Sequence, residues 1–192
     1  MDKGRVEAFS DGVIAILITI MVLELHAPQG SELSALKPLG QVFLTYVLSF
    51  VILGIYWNNH HHLLQAARAV SGGVLWANLH LLFWLSLFPF GTAWMGGTNF
   101  DRVPTAAYGI VLLAAAIAYY LLQQAILAVD GPDSALAAAL GPDLKGKISP
   151  VLYAIAIPGA FVNRWIAVGL YVAVAVLWFI PDRRLETRTR PD

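Results

Sequence analysis

The chain has 192 residues, 58% hydrophobic and only 12% charged, with a formal net charge of zero. A soluble domain carries about 25% charged residues; half that share, with the apolar residues gathered in long runs, excludes an ordinary soluble fold and indicates an all-α integral membrane protein. The balanced charge leaves no basic excess for nucleic acid, and the lack of cysteine excludes disulfides, thiolate zinc sites and cysteine nucleophiles.

A bilayer core needs about 20 apolar residues per helix, and six stretches approach or exceed that length. The first, residues 4–26, contains "RVEAFSDGVIAILITIMVLEL" and is ended by "APQG". It has no small-x-small cleavage site, so a retained helix is expected and not a removed signal peptide. The second covers 38–66 and the third 72–96. The fourth covers 104–129, the fifth 147–162, short and interrupted by Pro158, and the sixth 165–181, ended by "PDRR". Connections are short and rich in Gly, Pro, Asp and Ser, except for 130–147. No internal repeat or second domain is evident. Residues 1–182 therefore form one six-helix transmembrane domain, followed by a basic tail at 183–192.

Six spans place both termini on one side. That side carries nine basic residues, Lys3, Arg5, Arg68, Lys145, Lys147, Arg183, Arg184, Arg188 and Arg190; the other carries three, Lys37, Arg102 and Arg164. The positive-inside rule puts both termini in the cytoplasm.

Ionisable groups at membrane depth cost about 2.5–3.5 kcal/mol on insertion scales, so they need partners or water. In the first span, Asp11 lies two turns inside the helix start, with Ser10 beside it as a hydrogen-bond donor. Arg5 can reach back to the interface. At about 100° per residue, Arg5, Phe9, Gly12, Ile16, Thr19, Ile20, Leu23 and Ala27 fall near one stripe. Asp11 falls about 140° from Ile16, on the side of Ala15 and Ile18. The stripe and the carboxylate therefore face different things. If Asp11 packs against neighbouring helices, the stripe faces lipid in a monomer or a central axis in a symmetric oligomer. Asp11 and Ser10 read equally well as capping groups and interhelical glue.

The second and third spans hold polar-tipped residues in apolar surroundings: Trp57, His60, Asn78 and His80. Three consecutive histidines, 60–62, point about 100° apart and cannot converge on one metal ion. His60, one turn from Trp57, is expected to point inward and meet Asp11, with the other two at headgroup level. Pro89 is expected to bend the third span. The later spans carry small residues at packing spacing, with Gln123 and Gln124 as interhelical or interfacial polar groups. No Ser/His/Asp arrangement, HExxH, Walker or dinucleotide glycine pattern occurs, so neither an enzyme nor a cofactor is expected.

"RVEAFSDG" resembles the Arg-x-x-x-Phe-Ser-Asp signature of the transmembrane protein 175 family, the endolysosomal potassium channels and their prokaryotic relatives. The positions are Arg5, Phe9, Ser10 and Asp11. The likeness continues at Trp57, His60 and Leu63, at Asn78–Leu79 and at Pro89, and covers residues 5–95. It implies a potassium-permeable cation channel of the cell membrane, assembled as a homotetramer of single six-helix units. The first helix of each subunit would line the pore, with no Thr-Val-Gly-Tyr-Gly filter. The constriction would fall at Ile16, with further apolar layers at Ile20 and Leu23 and a selective hydroxyl layer at Thr19. Arg5, Phe9, Ser10, Asp11, Trp57, His60 and Asn78 would form the network that assembles the bundle.

A ring of isoleucines can gate by dewetting. Thr19 hydroxyls would replace only part of an ion's hydration shell, which implies moderate selection of potassium over sodium. Glu24 and Asp101 could concentrate cations at the outer mouth, or be plain solvated charges. Two other classes compete. One is a proton-conducting or proton-coupled transporter using Asp11 and a histidine as relay, against which the untitratable isoleucine stripe argues. The other is a membrane enzyme built on the histidine run.

Overall fold

A computed structural model describes residues 2–140 and 143–179, all helix and connecting turn. In chain order, α1 is Lys3–Leu23 and a 3-10 segment covers Leu33–Leu39, leading directly into α2, Gly40–Ala66. Then come α3, Gly72–Ser86; α4, Phe88–Gly97; α5, Arg102–Asp130; α6, Ala135–Leu140; α7, Leu144–Val162; and α8, Arg164–Phe179. Helix lies at every one of the six apolar stretches. Among the described residues four units are long and apolar enough to cross a membrane: Lys3–Leu23, Leu33–Ala66, Gly72–Gly97 and Arg102–Asp130; Arg164–Phe179 is apolar but shorter. The basic tail at 183–192 lies outside the described residues.

The helix starts follow from local chemistry. Asp2, Ser71 and Asp101 are N-caps whose side-chain oxygens accept from backbone N–H groups just beyond them, at 3.3, 3.3 and 3.0 Å. Asp143 does the same for α7, accepting from Gly146 N at 3.1 Å. Asn163, extended at φ −152° and ψ 118°, separates α7 from α8. Its Oδ1 accepts from Trp165 N at 3.0 Å, so one residue both ends a helix and caps the next.

Two expectations change. The third span is jointed at Leu87, and Pro89 is the second residue of α4, not a kink inside one helix. A proline there removes an N–H from a helix's first turn, where no intrahelical partner is needed. The fifth stretch is not interrupted: α7 runs 19 residues through both Pro150 and Pro158. α7 packs against α5 and α8, neighbours that compensate for the missing hydrogen bonds and keep the helix continuous. The long connection at 130–147 also holds a short helix, α6.

The centre is α5, whose Tyr108, Leu112, Ala115, Ala118, Leu122 and Ile126 are fully buried against α3, α4, α7 and α8. Glycines set the closest approaches. A Cβ on Gly91 of α4 would sit 2.9 Å from the Tyr108 ring, and one on Gly109 would collide with the Tyr171 hydroxyl. That hydroxyl donates to Thr105 O at 2.9 Å. Ser49, Thr92 and Tyr108 form a buried hydroxyl chain joining α2, α4 and α5, at 2.6 and 2.8 Å. The outside is apolar: Trp76, Phe90 and Val162 are 76%, 62% and 77% exposed. Large apolar side chains all around the perimeter suit a protein solvated by hydrocarbon.

Candidate functional site

Helix α1 has two faces. Val6, Ser10, Ile14, Leu17 and Met21 are buried against α2, α3 and α4. The opposite side carries Phe9, Ile16, Thr19, Ile20 and Leu23, all exposed, with Ile16 at 58% and Leu23 at 73%. Asp11 is half-buried at the boundary between the faces. The stripe and the carboxylate thus lie on different sides of the helix, as the 100° step requires. The Thr19 hydroxyl donates to Ile16 O at 2.9 Å. Its proton is thereby occupied, and its oxygen faces outward as an acceptor.

Behind this helix runs a buried hydrogen-bond chain. Ser10 Oγ donates to Val6 O at 2.8 Å and accepts from Asn78 Nδ2 at 2.9 Å. Asn78 Oδ1 meets His60 Nε2 at 2.7 Å. With the Asn78 amide in this orientation its oxygen can only accept, so the proton of this contact sits on Nε2 of His60. Its Nδ1 is buried without a hydrogen-bond partner. The chain joins α1, α3 and α2 in one line. Asp11 is held separately: Trp57 Nε1 donates to its Oδ1 at 3.0 Å, at a half-exposed position.

His60 therefore pairs with Asn78, and the expected meeting with Asp11 is corrected. Ser10 and Asp11 point about 100° apart, so Ser10 reaches into the bundle while Asp11 turns sideways to Trp57. His60, nearer the core side of α2, reaches α3. Arg5 and Phe9 stand exposed on the stripe face and outside this hydrogen-bonded chain. His61 stacks on Trp57 at 6.1 Å between ring centroids, and His80 accepts from Trp84 Nε1 at 2.9 Å. Among the described residues no three of His, Cys, Asp or Glu converge as a metal site. Asp101 caps α5, which gives it a structural task at the start of that helix.

One contact carried no signal in the sequence beyond its charge. Lys3 Nζ donates to Gln65 O at 2.7 Å and Ala67 O at 3.0 Å. It ties the start of α1 to the carbonyl end of α2, where a cation is electrostatically favoured.

A family model described as "Endosomal/lysosomal potassium channel TMEM175" matches residues 5–89, the segment that holds all but the first two residues of α1 and the whole hydrogen-bonded chain. The sequence is 52% identical over 186 residues to a protein named potassium channel from Chryseobacterium sp. (strain P1-3), covering 97% of each. It is 40% identical over 96 residues to the bovine endosomal/lysosomal proton channel TMEM175, covering 43% of this chain and 20% of that one. The fold is similar to the crystal structure of a lysosomal potassium-selective channel TMEM175 homolog from Chamaesiphon minutus. The TM-score is 0.80 at 29% identity, over 95% of this chain and 97% of that one.

Proposed function

The chain belongs to the TMEM175 family, and from that premise we propose that it is a potassium-permeable cation channel whose pore is lined by α1 of four identical subunits. Residues 1–182 are the channel unit, with six membrane crossings and both termini in the cytoplasm of a cell-membrane protein. One observation carries the pore reading. The best-partnered face of α1 is closed off inside the subunit, and the remaining face is an exposed apolar stripe with a single outward hydroxyl oxygen, Thr19. Four such stripes around an axis would enclose a narrow apolar bore, with Ile16, Ile20 and Leu23 as successive layers. Such a bore resists wetting when narrow and conducts when it widens. Arg5, Phe9, Ser10, Asp11, Trp57, His60 and Asn78 are assigned to holding the α1 bundle together.

Purified protein in potassium-loaded liposomes should release potassium faster than sodium, and cross-linking should end at four subunits. A monomer by mass, or no cation flux, would sink the reading, because one copy cannot enclose a pore. A second reading is favoured by the bovine relative's name, a proton channel. Proton flux measured with a pH dye in the same liposomes, at matched potassium gradients, separates the two.

Thr19→Val keeps the side chain's shape and removes the acceptor oxygen. Potassium preference over sodium is expected to fall toward none, with cation flux persisting. Reversal potentials under mixed gradients provide the check. An unchanged potential would assign selection to the backbone or to the bore alone.

A further inference from the structure

His60 is fully buried, and only one of its ring nitrogens is used. Ser10 gives its proton to Val6 O, so its oxygen accepts from the Asn78 amide N–H and turns the amide oxygen toward His60 Nε2. Nδ1 is left as an acceptor, buried and without a partner. A second acceptor is buried the same way: Oε1 of Glu7, on α1. Two contacts set the level of one against the other. Asp11 meets Trp57, and Lys3, eight residues before Asp11, meets the carbonyl of Gln65, eight residues after Trp57. Helices α1 and α2 are thus antiparallel there, and Glu7, midway, stands level with His61 and within one residue of His60. Glu7 lies about 60° from Ser10 around α1, on the helix's packed side.

The charges that act on the His60 ring are Glu7 and Asp11 from α1 and His61 from α2 itself. Asp11 is held by Trp57, and Lys3 is committed to the α2 carbonyls. From α3 comes the uncharged Asn78; α4 and α6 hold no titratable side chain; Tyr119 of α5 donates to Asn59 O. Lys37 of the 3-10 segment, and Arg164 and Tyr171 of α8, lie beyond Ser49 toward the start of α2. Two acceptors at one level in a buried interface cannot bond, and one added proton makes either of them a donor. We propose that Glu7 and His60 form a one-proton site behind α1, whose occupancy sets how firmly the first turns of α1 seat on α2. The proton rests on the carboxyl or on Nδ1; in both cases Nε2–H keeps its bond to Asn78. A second proton would set donor against donor, so the site saturates at one, and its titration belongs to the pair. Resting on the channel reading, seating α1 draws its opposite face, with Ile16 nine residues on, back from the axis. Acidification therefore raises cation flux.

The test uses the full chain in liposomes, 15N-labelled at histidine, followed by solid-state NMR over about pH 4 to 8, the span of ordinary carboxyl and imidazole values. One of the five rings is expected to keep Nε2 protonated throughout while its Nδ1 signal moves with pH. In Glu7→Gln that movement should vanish, because the amide N–H donates to Nδ1 at every pH. A signal that ignores pH in the wild type would overturn the proton site and leave a water donating to both acceptors. One that moves equally in Glu7→Gln would overturn the pair. In the same liposomes potassium flux should rise up to about fivefold on acidification, the worth of one hydrogen bond. Glu7→Gln should hold the acid level at every pH, and Glu7→Leu, which offers no bridge, the neutral level. An equal pH response in wild type and Glu7→Gln, or a fall in wild-type flux on acidification, would overturn the link to α1. A wild type with no flux at all would count against the channel reading, while the NMR still judges the site.

Discussion

Ile16→Asn is expected to raise basal cation flux, with potassium still preferred. In the proposed tetramer the four Ile16 side chains form the constriction nearest the cytoplasmic signature. Isoleucine is β-branched and holds one rotamer in a helix, so its ring keeps one bore size. Asparagine offers water hydrogen bonds at the point where an apolar ring excludes it. Lowering the barrier by about 1.4 kcal/mol would raise flux about tenfold. Thr19 stands one turn further along and is untouched, so selection should survive. Ile16→Phe should do the reverse, reducing flux without loss of assembly. Liposome flux normalised to protein decides it. If both variants conduct like the wild type, Ile16 faces lipid and the pore runs elsewhere.

Asn78→Leu should be the most damaging single change to stability. Asn78 is the centre of the buried chain, 2% exposed, donating to Ser10 and accepting from His60. Leucine fills the volume and leaves His60 Nε2 unpaired in a dry interior. Each buried orphan costs about 1–3 kcal/mol. Interhelical hydrogen bonds inside membranes measure lower, about 0.6 kcal/mol on average, because the separated helices find other partners. Ser10 retains Val6 O, which leaves His60 as the main loss. A net of about 1–2 kcal/mol is therefore expected. Trp57→Phe supplies the contrast. It frees Asp11 at a half-exposed position where water can replace the indole, so the loss should stay below about 1 kcal/mol. Thermal unfolding in detergent measures both. An equal or larger loss from Trp57→Phe would show that burial is not what sets the cost.

The apolar stretches were legible because length and hydropathy are properties of a single helix. The two faces of α1 were legible for the same reason: a 100° step separates Asp11 from Ile16 whatever surrounds them. What lay beyond was relative rotation between helices. The partner of His60 depends on how α2 is turned against α1 and α3, and no pattern within α2 records that. Ser49, Thr92 and Tyr108 are each unremarkable in their own segments and meet only because Gly91 lets α4 approach α5. Pro158 illustrates the opposite error. Its local rule favours a break, and packing of α7 between two neighbours overrides it.

The Lys3 clasp fixes the start of α1, packing holds it as far as Met21, and residues 24–32 lie beyond the last packed turn. The helix's first turn is pinned to the carbonyls of Gln65 and Ala67, and its far end runs into a stretch without regular helix before residue 33. At 1.5 Å per residue, Ile16 lies about 20 Å from the pin and Leu23 about 30 Å. Any tilt about that pin displaces Leu23 about half again as far as Ile16. In the proposed pore a constriction at Ile16 would therefore hold its diameter better than the layers at Ile20 and Leu23, and residues 24–32 are the place where a small force would have the longest lever.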